Sequence, residues 1–189
     1  GGGSALNGGT LAWNQGILNL DSGSTGWIDL LASTATSDGG VIWGGNNITL
    51  ALDMVLDGTV SAGGDGGAIR LGDNAAFSAN SHTSFTGDIN AGNDGGLLRM
   101  GDGATFANVN WQQPTGAMSA GADGGILRFG DNASVSIVDM PLQNGTAGAN
   151  GGAVRIGSGT ITGSGPITDI QNCDASNGGG LWLGAGTTC

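Results

Sequence analysis

The sequence predicts an all-β fold: a parallel β-helix of about six to seven coils. Gly-Gly pairs begin at residues 8, 39, 66, 95, 124, 151 and 178, so the chain repeats every 27 to 31 residues. Good helix formers are scarce, because Gly supplies 42 of the 189 residues and Glu and Lys are absent. A repeat of this length with short strands and no helical pattern fits coils stacked about 4.8 Å apart. Right-handed winding is the default for parallel crossovers.

Each repeat opens with a Gly-Gly block that alternates like a strand. The fourth position is always aliphatic and the sixth is apolar in most repeats, so both columns should face a core: Leu11, Ile42, Ile69, Leu98, Leu127, Val154, Leu181 and Leu71, Met100, Phe129, Ile156, Leu183. The third position should face outward: Ala68, Leu97, Ile126, Ala153. A glycine at the seventh position predicts a tight or left-handed bend: Gly45, Gly72, Gly101, Gly130, Gly157, Gly184. A further apolar column lies eleven residues after the first glycine: Leu50, Phe77, Phe106, Val135.

The repeat predicts one domain over residues 1–189, with an irregular first coil (1–38) followed by regular coils (39–189). The chain begins at Gly1 without Met and stops at Cys189 in mid-coil. We therefore expect a segment of a longer or polymerising protein, whose ends continue as further coils or stack head-to-tail on other copies.

Charge narrows the range of partners. The net charge is −11, from 15 acidic and four basic residues. This balance argues against nucleic acid, whose phosphates need clustered cations. No apolar run is long enough to span a membrane. Protein or polysaccharide at a cell surface remains the expected partner.

One outward column holds every basic residue of the chain and has a tryptophan at each end: Trp43, Arg70, Arg99, Arg128, Arg155, Trp182. One interpretation is a structural ladder, in which nearby aspartates relieve the repulsion between stacked cations: Asp65, Asp94, Asp123 before the Gly-Gly pairs, and Asp73, Asp102, Asp131 after the blocks. The other is a partner-binding stripe, because Arg and Trp are enriched at interface hot spots. The two interpretations are compatible.

Metal binding and catalysis are weaker hypotheses. Stacked Asp65, Asp94 and Asp123 are weak calcium candidates, but a turn role for them is favoured, so we predict no metal and no cofactor.

β-Helices also include polysaccharide lyases and hydrolases, which need a carboxylate pair or a base. Lys is absent, and the one histidine, His82, lies in a polar loop. We therefore predict no catalytic residue and no enzyme.

Two features suit a secreted protein. Candidate glycosylation sequons begin at Asn47, Asn132 and Asn144. Cys173 and Cys189, sixteen residues apart, could close the last coil as a disulfide worth about 3 kcal/mol.

The repeat resembles that of the polymorphic outer-membrane proteins, which pairs a GGAI-type block with an FxxN-type block. Gly66-Gly67-Ala68-Ile69 and Phe77-Ser78-Ala79-Asn80 match both halves, and the likeness covers roughly residues 39–189. Asp88 and Val109 stand where the family's FxxN has Asn. The resemblance implies an autotransporter-passenger-like β-helix with an extracellular structural or adhesive role, as a stalk, adhesin or filament component. The alternative is a polysaccharide-binding or polysaccharide-degrading β-helix, in which Trp43 and Trp182 stack on sugar rings.

Overall fold

A computed structural model describes residues 4–5, 7–20, 28–30, 32–79, 83–108, 112, 115–164 and 169–189. His82 lies outside the described residues. The strands within them are β1 (Ser4–Ala5), β2 (Leu11–Trp13), β3 (Gly16–Leu20), β4 (Ile28–Leu30), β5 (Ser33–Ala35), β6 (Ile42–Gly44), β7 (Ile48–Leu52), β8 (Met54–Leu56), β9 (Val60–Ala62), β10 (Ile69–Leu71), β11 (Ala76–Ala79), β12 (Ser84–Phe85), β13 (Ile89–Ala91), β14 (Leu98–Met100), β15 (Thr105–Asn108), β16 (Met118–Ala120), β17 (Leu127–Phe129), β18 (Ala133–Val138), β19 (Leu142–Gln143), β20 (Gly145–Ala147), β21 (Val154–Ile156), β22 (Gly159–Ser164), β23 (Ile170–Gln171), β24 (Leu181–Leu183) and β25 (Thr187–Thr188).

Three long parallel sheets run along the solenoid. Sheet A has the order β1-β5-β9-β13-β16-β20, sheet B β2-β6-β10-β14-β17-β21-β24, and sheet C β25-β22-β18-β15-β11-β7-β3. Two smaller sheets, β12-β8-β4 and β19-β23, lie between sheets C and A along the chain. The described part of the chain contains no helix with the length and apolar character needed to cross a membrane. The predicted all-β parallel solenoid is confirmed.

The number of turns differs slightly from the prediction. Five described turns carry a strand in each of sheets B, C and A, from β2 to β20. In the next turn the sheet A side is reduced to a single bridge between Thr146 and Asp174, and β24 and β25 begin a partial last turn. Counting Gly-Gly blocks gives six to seven coils because it includes these incomplete turns.

The core follows the predicted columns. In β10, for example, Ile69 and Leu71 are buried while Arg70 between them is half-buried, as the two-residue period requires. The sheet C column is buried too, and Phe77 stacks on Phe106 with ring centroids 5.4 Å apart and planes 2° from parallel. Like residues thus lie over like from turn to turn.

The third position of the block does not face outward as predicted. Ala68, Leu97, Ile126 and Ala153 are fully buried. The chain turns a corner there: at Leu97 and Leu98, two consecutive N–H groups donate to the same carbonyl, that of Ile126, at 2.9 and 3.0 Å. The alternation of inward and outward side chains fails at a corner. This column therefore belongs to the core and does not place apolar side chains on the surface beside the arginine column.

The two glycines of each pair are required for different reasons. The first has a left-handed backbone, as at Gly95 with φ of 67°, which L side chains rarely adopt. The second has ordinary φ but packs directly against the next turn, so a Cβ on Gly96 would overlap the carbonyl oxygen of Gly125. The pair therefore sets both the corner and the spacing between turns.

Candidate functional site: an arginine–aspartate ladder on sheet B

The predicted outward column forms in register on sheet B. Strand pairing places Trp43 beside Arg70 and Arg155 beside Trp182, with the other arginines between them. The arginine side chains are only 16 to 21% exposed. This column is a half-buried row rather than a set of extended surface cations.

Each arginine faces an aspartate from the preceding turn. The Nε–Oδ2 distances are 3.8 Å for Arg70–Asp38, 3.5 Å for Arg99–Asp65, 3.3 Å for Arg128–Asp94 and 3.5 Å for Arg155–Asp123. We call these eight residues the Arg–Asp ladder. Asp38 was missed by the sequence analysis, although it stands directly before a Gly-Gly pair as the other three do.

The second oxygen of each ladder aspartate binds the backbone of the next turn. Asp94 Oδ1 accepts the Asp123 N–H at 3.2 Å, and Asp65 Oδ1 accepts the Asp94 N–H at 3.4 Å. Asp123 Oδ1 accepts both the backbone and the side-chain N–H of Asn150, at 3.2 and 2.8 Å. Each carboxylate therefore joins two turns.

The weak calcium candidates Asp65, Asp94 and Asp123 are the carboxylates of this ladder. Their oxygens face guanidinium groups and backbone N–H donors, whereas Ca²⁺ needs several oxygen ligands converging on one centre. Within the described ranges, no three His, Cys or acidic side chains come together as a set that could hold a metal ion.

A second aspartate column lies past the strands of sheet B. Asp73 Oδ1 accepts the Asp102 N–H at 3.0 Å, and Asp102 Oδ1 accepts the Asp131 N–H at 2.9 Å. These aspartates are exposed and make no ion pair with the arginines among the described contacts.

This second column corrects the explanation for the seventh-position glycines. Of the tight or left-handed bend predicted there, the left-handed form is not observed, because none of the six glycines has a positive φ. Gly101 instead packs against the Asp73 carboxylate, which a Cβ would overlap. The left-handed turn residue comes two positions later, as at Asn74 (φ 53°) and Gly103 (φ 66°).

Burial shifts the pKa values of two paired residues in the ladder, Arg128 and Asp94. Burial lowers the pKa of Arg128, and the neighbouring Arg99 lowers it further, while Asp94 opposes the shift. Burial likewise raises the pKa of Asp94, against the effect of Arg128. Arg128 Nη1 is buried and has no hydrogen-bond partner among the described residues. Four cations and four anions balance in one half-buried row, so the ladder carries almost none of the chain's net charge.

The tryptophans end the row through cation–π contacts. The Arg70 Cζ lies 5.6 Å from the centre of the Trp43 ring, and the Arg155 Cζ lies 4.9 Å from that of Trp182. Each terminal arginine thus has an indole on the side that lacks another arginine.

Two cavities lie toward the ends of the ladder. A polar cavity of about 540 Å³ is lined by Asn14, Gln15, Trp43, Gly45, Asn46, Asn47 and Arg70. An apolar cavity of about 400 Å³ lies at the last turn, lined mainly by Ile137, Leu142, Ile161, Ile170, Leu181 and Leu183.

The predicted disulfide is absent. Cys173 and Cys189 are both free thiols. The Cys173 thiol packs against the core and donates to the carbonyls of Leu142 and Gln171 at 3.4 and 3.2 Å. Cys189 instead follows β25 at the edge of sheet C, is exposed, and borders the apolar cavity. Burial raises the pKa of Cys173, against the effect of backbone hydrogen bonds.

The candidate sequon asparagines all occupy left-handed turn positions. Asn47 (φ 56°) and Asn132 (φ 57°) are exposed, while Asn144 (φ 60°) is half-buried and its side chain accepts from Asn172 Nδ2 at 3.4 Å. Glycosylation at these positions stays a prediction.

Comparison of the chain with protein-family models, curated proteins and solved structures finds no match.

Proposed function

We propose that this chain is an extracellular structural or adhesive module, a rigid β-solenoid that presents sheet B to a protein or polysaccharide at a cell surface. The outward column of sheet B carries the proposal, since it holds the four arginines of the Arg–Asp ladder and two tryptophans in register over six strands. A rod built from in-register turns suits a stalk or adhesin, and the resemblance to polymorphic outer-membrane proteins supports the same class.

In this proposal the ladder has both roles considered from the sequence, a structural ladder and a partner-binding stripe. Its carboxylates join neighbouring turns, and its guanidinium groups, like the indoles of Trp43 and Trp182, remain partly accessible. Aromatic and arginine side chains that are already held in place lose little conformational entropy when a partner binds, which favours affinity.

The test is adhesion of the labelled chain to cells and to a polysaccharide panel. Arg99→Ala combined with Arg128→Ala should lower binding by at least about tenfold. Asn90→Ala combined with Ser119→Ala is the matched control, because these residues form an outward pair on sheet A with a side-chain contact of 2.6 Å. Circular dichroism checks that each variant keeps its β-structure. Equal binding by the two double variants would contradict the proposal.

The polar cavity beside Trp43 favours a second candidate, polysaccharide binding. An indole, a guanidinium group and several side-chain amides line it, and sugars are bound by such stacking and hydrogen-bonding groups. Trp43→Ala should abolish binding on a glycan array, whereas Trp182→Ala should not, because Trp182 lines neither cavity. Release of reducing or unsaturated ends from pectin or alginate would reveal the degrading form of this alternative.

A further inference from the structure

The polar cavity lies on the side of the solenoid, where three successive turns meet. Asn14 and Gln15 come from the first of these turns, Trp43 and Asn46 from the second, and Arg70 from the third. Its volume of about 540 Å³ falls within the range of about 300–1,000 Å³ that is typical of ligand pockets. The stacking of neighbouring turns therefore builds a site of a size that suits a small ligand or one or two units of a polymer.

Trp43 gives this cavity an apolar surface that is already fixed in position. The indole is half-buried, and the Arg70 guanidinium lies over it, with Cζ 5.6 Å from the ring centre. On the other side of the column Trp43 pairs with Ala12, whose methyl group is too small to cover an indole. A ring of a ligand can therefore stack on Trp43, and little side-chain entropy is lost when it does.

Both aspartate columns change to asparagine at this place. Asn7 stands in the column of the ladder aspartates, where it accepts the Asp38 N–H at 3.4 Å. Asn46 stands in the second aspartate column, where it accepts the Asp73 N–H at 2.8 Å. The neighbourhood of Trp43 thus has amides at positions where the following turns have carboxylates.

The charges around the cavity disfavour an anionic ligand. Among the residues that line it only Arg70 is charged, and its guanidinium group already pairs with a carboxylate, that of Asp38, at 3.8 Å. Burial lowers the pKa of Arg70, against the effect of three nearby carboxylates, those of Asp38, Asp65 and Asp73. These groups and the chain's net charge of −11 would repel an added carboxylate, whereas an uncharged ligand has no such cost.

The amides that line the cavity suit hydroxyl groups, because a side-chain amide both donates and accepts hydrogen bonds. The bond from the Asp73 N–H to Asn46 Oδ1 fixes this amide and leaves its Nδ2 group to donate to a ligand oxygen. Arg70 is held as well, since its Nη1 donates to the Gly44 carbonyl at 3.4 Å. The donors of the site are therefore in place before a ligand arrives, which favours affinity.

From these observations we propose that the polar cavity binds a neutral polysaccharide, with a sugar ring stacked on Trp43 and its hydroxyl groups bonded to the surrounding amides. The inference rests on the second proposed function, polysaccharide binding, and identifies its ligand class as uncharged glycans rather than polyuronates. Arg70 serves as a hydrogen-bond donor to a sugar oxygen, because its charge is already balanced by Asp38.

The test measures binding of the 189-residue chain to soluble polysaccharides by isothermal titration calorimetry. The chain is made without glycosylation, because a glycan on Asn47 would fill the cavity that this residue lines. The neutral probes are a β-glucan, an α-glucan, a mannan and a xylan, and the acidic probes are polygalacturonate and alginate. At least one neutral probe should bind, with an affinity that changes little with salt concentration. An acidic probe that binds more tightly than every neutral one, or no binding to any probe, would overturn the inference.

Asn46→Asp is the most informative variant, because its carboxylate can accept the Asp73 N–H as the aspartates of that column do in later turns. It removes the Nδ2 donor and adds a charge, so the affinity for the neutral probe should fall by at least about tenfold. Trp43→Ala should lower it at least as much. Asp102→Asn, the reverse change in the same column outside the cavity, is the matched control and should leave the affinity unchanged. Equal affinities of Asn46→Asp and Asp102→Asn would overturn the inference.

The double variant Arg99→Ala with Arg128→Ala separates this inference from the main proposal. Neither residue lines the cavity, so the double variant should keep its affinity for the neutral probe even where its adhesion to cells falls. If it loses affinity for the neutral probe while Asn46→Asp keeps it, the polysaccharide binds at the ladder, and the inference fails although the main proposal holds. If adhesion is unchanged in the double variant while Asn46→Asp loses the probe, the main proposal fails and the inference holds.

Discussion

The central turns and the last turn of the solenoid share one sequence pattern but differ in what lies next to them. Leu98 is fully buried and Leu181 is 41% exposed, although both occupy the fourth position of their blocks. A Cβ on Gly96 would overlap the following turn, whereas one on Gly179 would come no closer than 3.0 Å to any atom, the Cys173 carbonyl oxygen. The same residue types therefore have different energetic roles at the centre and at the end.

This difference shows where the stability of the repeat lies. One turn cannot bury its own apolar columns, and it gains a core only when a second turn covers it. The ladder follows the same rule, since each ladder carboxylate binds groups of the next turn rather than of its own. Contacts between turns are the main stabilising unit.

The largest expected difference between centre and end comes from the second glycine of the pair. Gly96→Ala should lower the free energy of unfolding by about 3 kcal/mol or more, because its methyl group would meet the rigid backbone of the next turn. Gly179→Ala should cost less than about 1 kcal/mol, since only one carbonyl must give slightly. Urea unfolding of the two variants at low concentration makes the comparison. Similar losses would show that the spacing of turns is not set by this column.

Much of this architecture could be predicted from the sequence because the Gly-Gly pairs fix the register. Once the pairs are aligned, Arg99 must lie beside Arg70 and Arg128, and Leu98 must face the core. The burial of Leu97 could not be predicted by alternation, since a corner breaks the two-residue period. The sequence also could not decide between Asp65 and Asp94 as the partner of Arg99. That choice depends on whether each carboxylate points toward the preceding or the following turn.

A smaller difference in stability between centre and end is expected for the column of the ladder aspartates. Asp94→Ala removes the carboxylate of Arg128 and the acceptor of the Asp123 N–H, both half-buried, and should cost about 1–3 kcal/mol. Asn177→Ala, in the same column at the last turn, removes one exposed hydrogen bond of 3.1 Å to Asn150 and should cost less than about 1 kcal/mol.

A double variant distinguishes the loss of the ion pair from the cost of leaving Arg128 buried without its carboxylate. Asp94→Ala combined with Arg128→Met removes the guanidinium group that Asp94→Ala leaves unpaired, and should recover part of the lost stability in urea unfolding. If the double variant is no more stable than Asp94→Ala alone, the ladder stabilises the solenoid through packing and hydrogen bonding rather than through charge.

The smallest expected effect is the pH dependence of this same carboxylate. Burial raises the pKa of Asp94 above its ordinary value of 3.8, so in the window between these two values the folded chain binds more protons than the unfolded chain. Its contribution to stability is therefore most favourable below 3.8, declines as pH rises through the raised pKa, and is constant above it. Asp94→Asn supplies a side chain that does not titrate, and the other aspartates titrate in both proteins. Urea unfolding of both, from neutral pH downward, should show the wild-type chain gaining stability relative to Asp94→Asn as the pH falls through this window. A relative loss over the same window would mean that attraction to Arg128 outweighs burial at this position of the ladder.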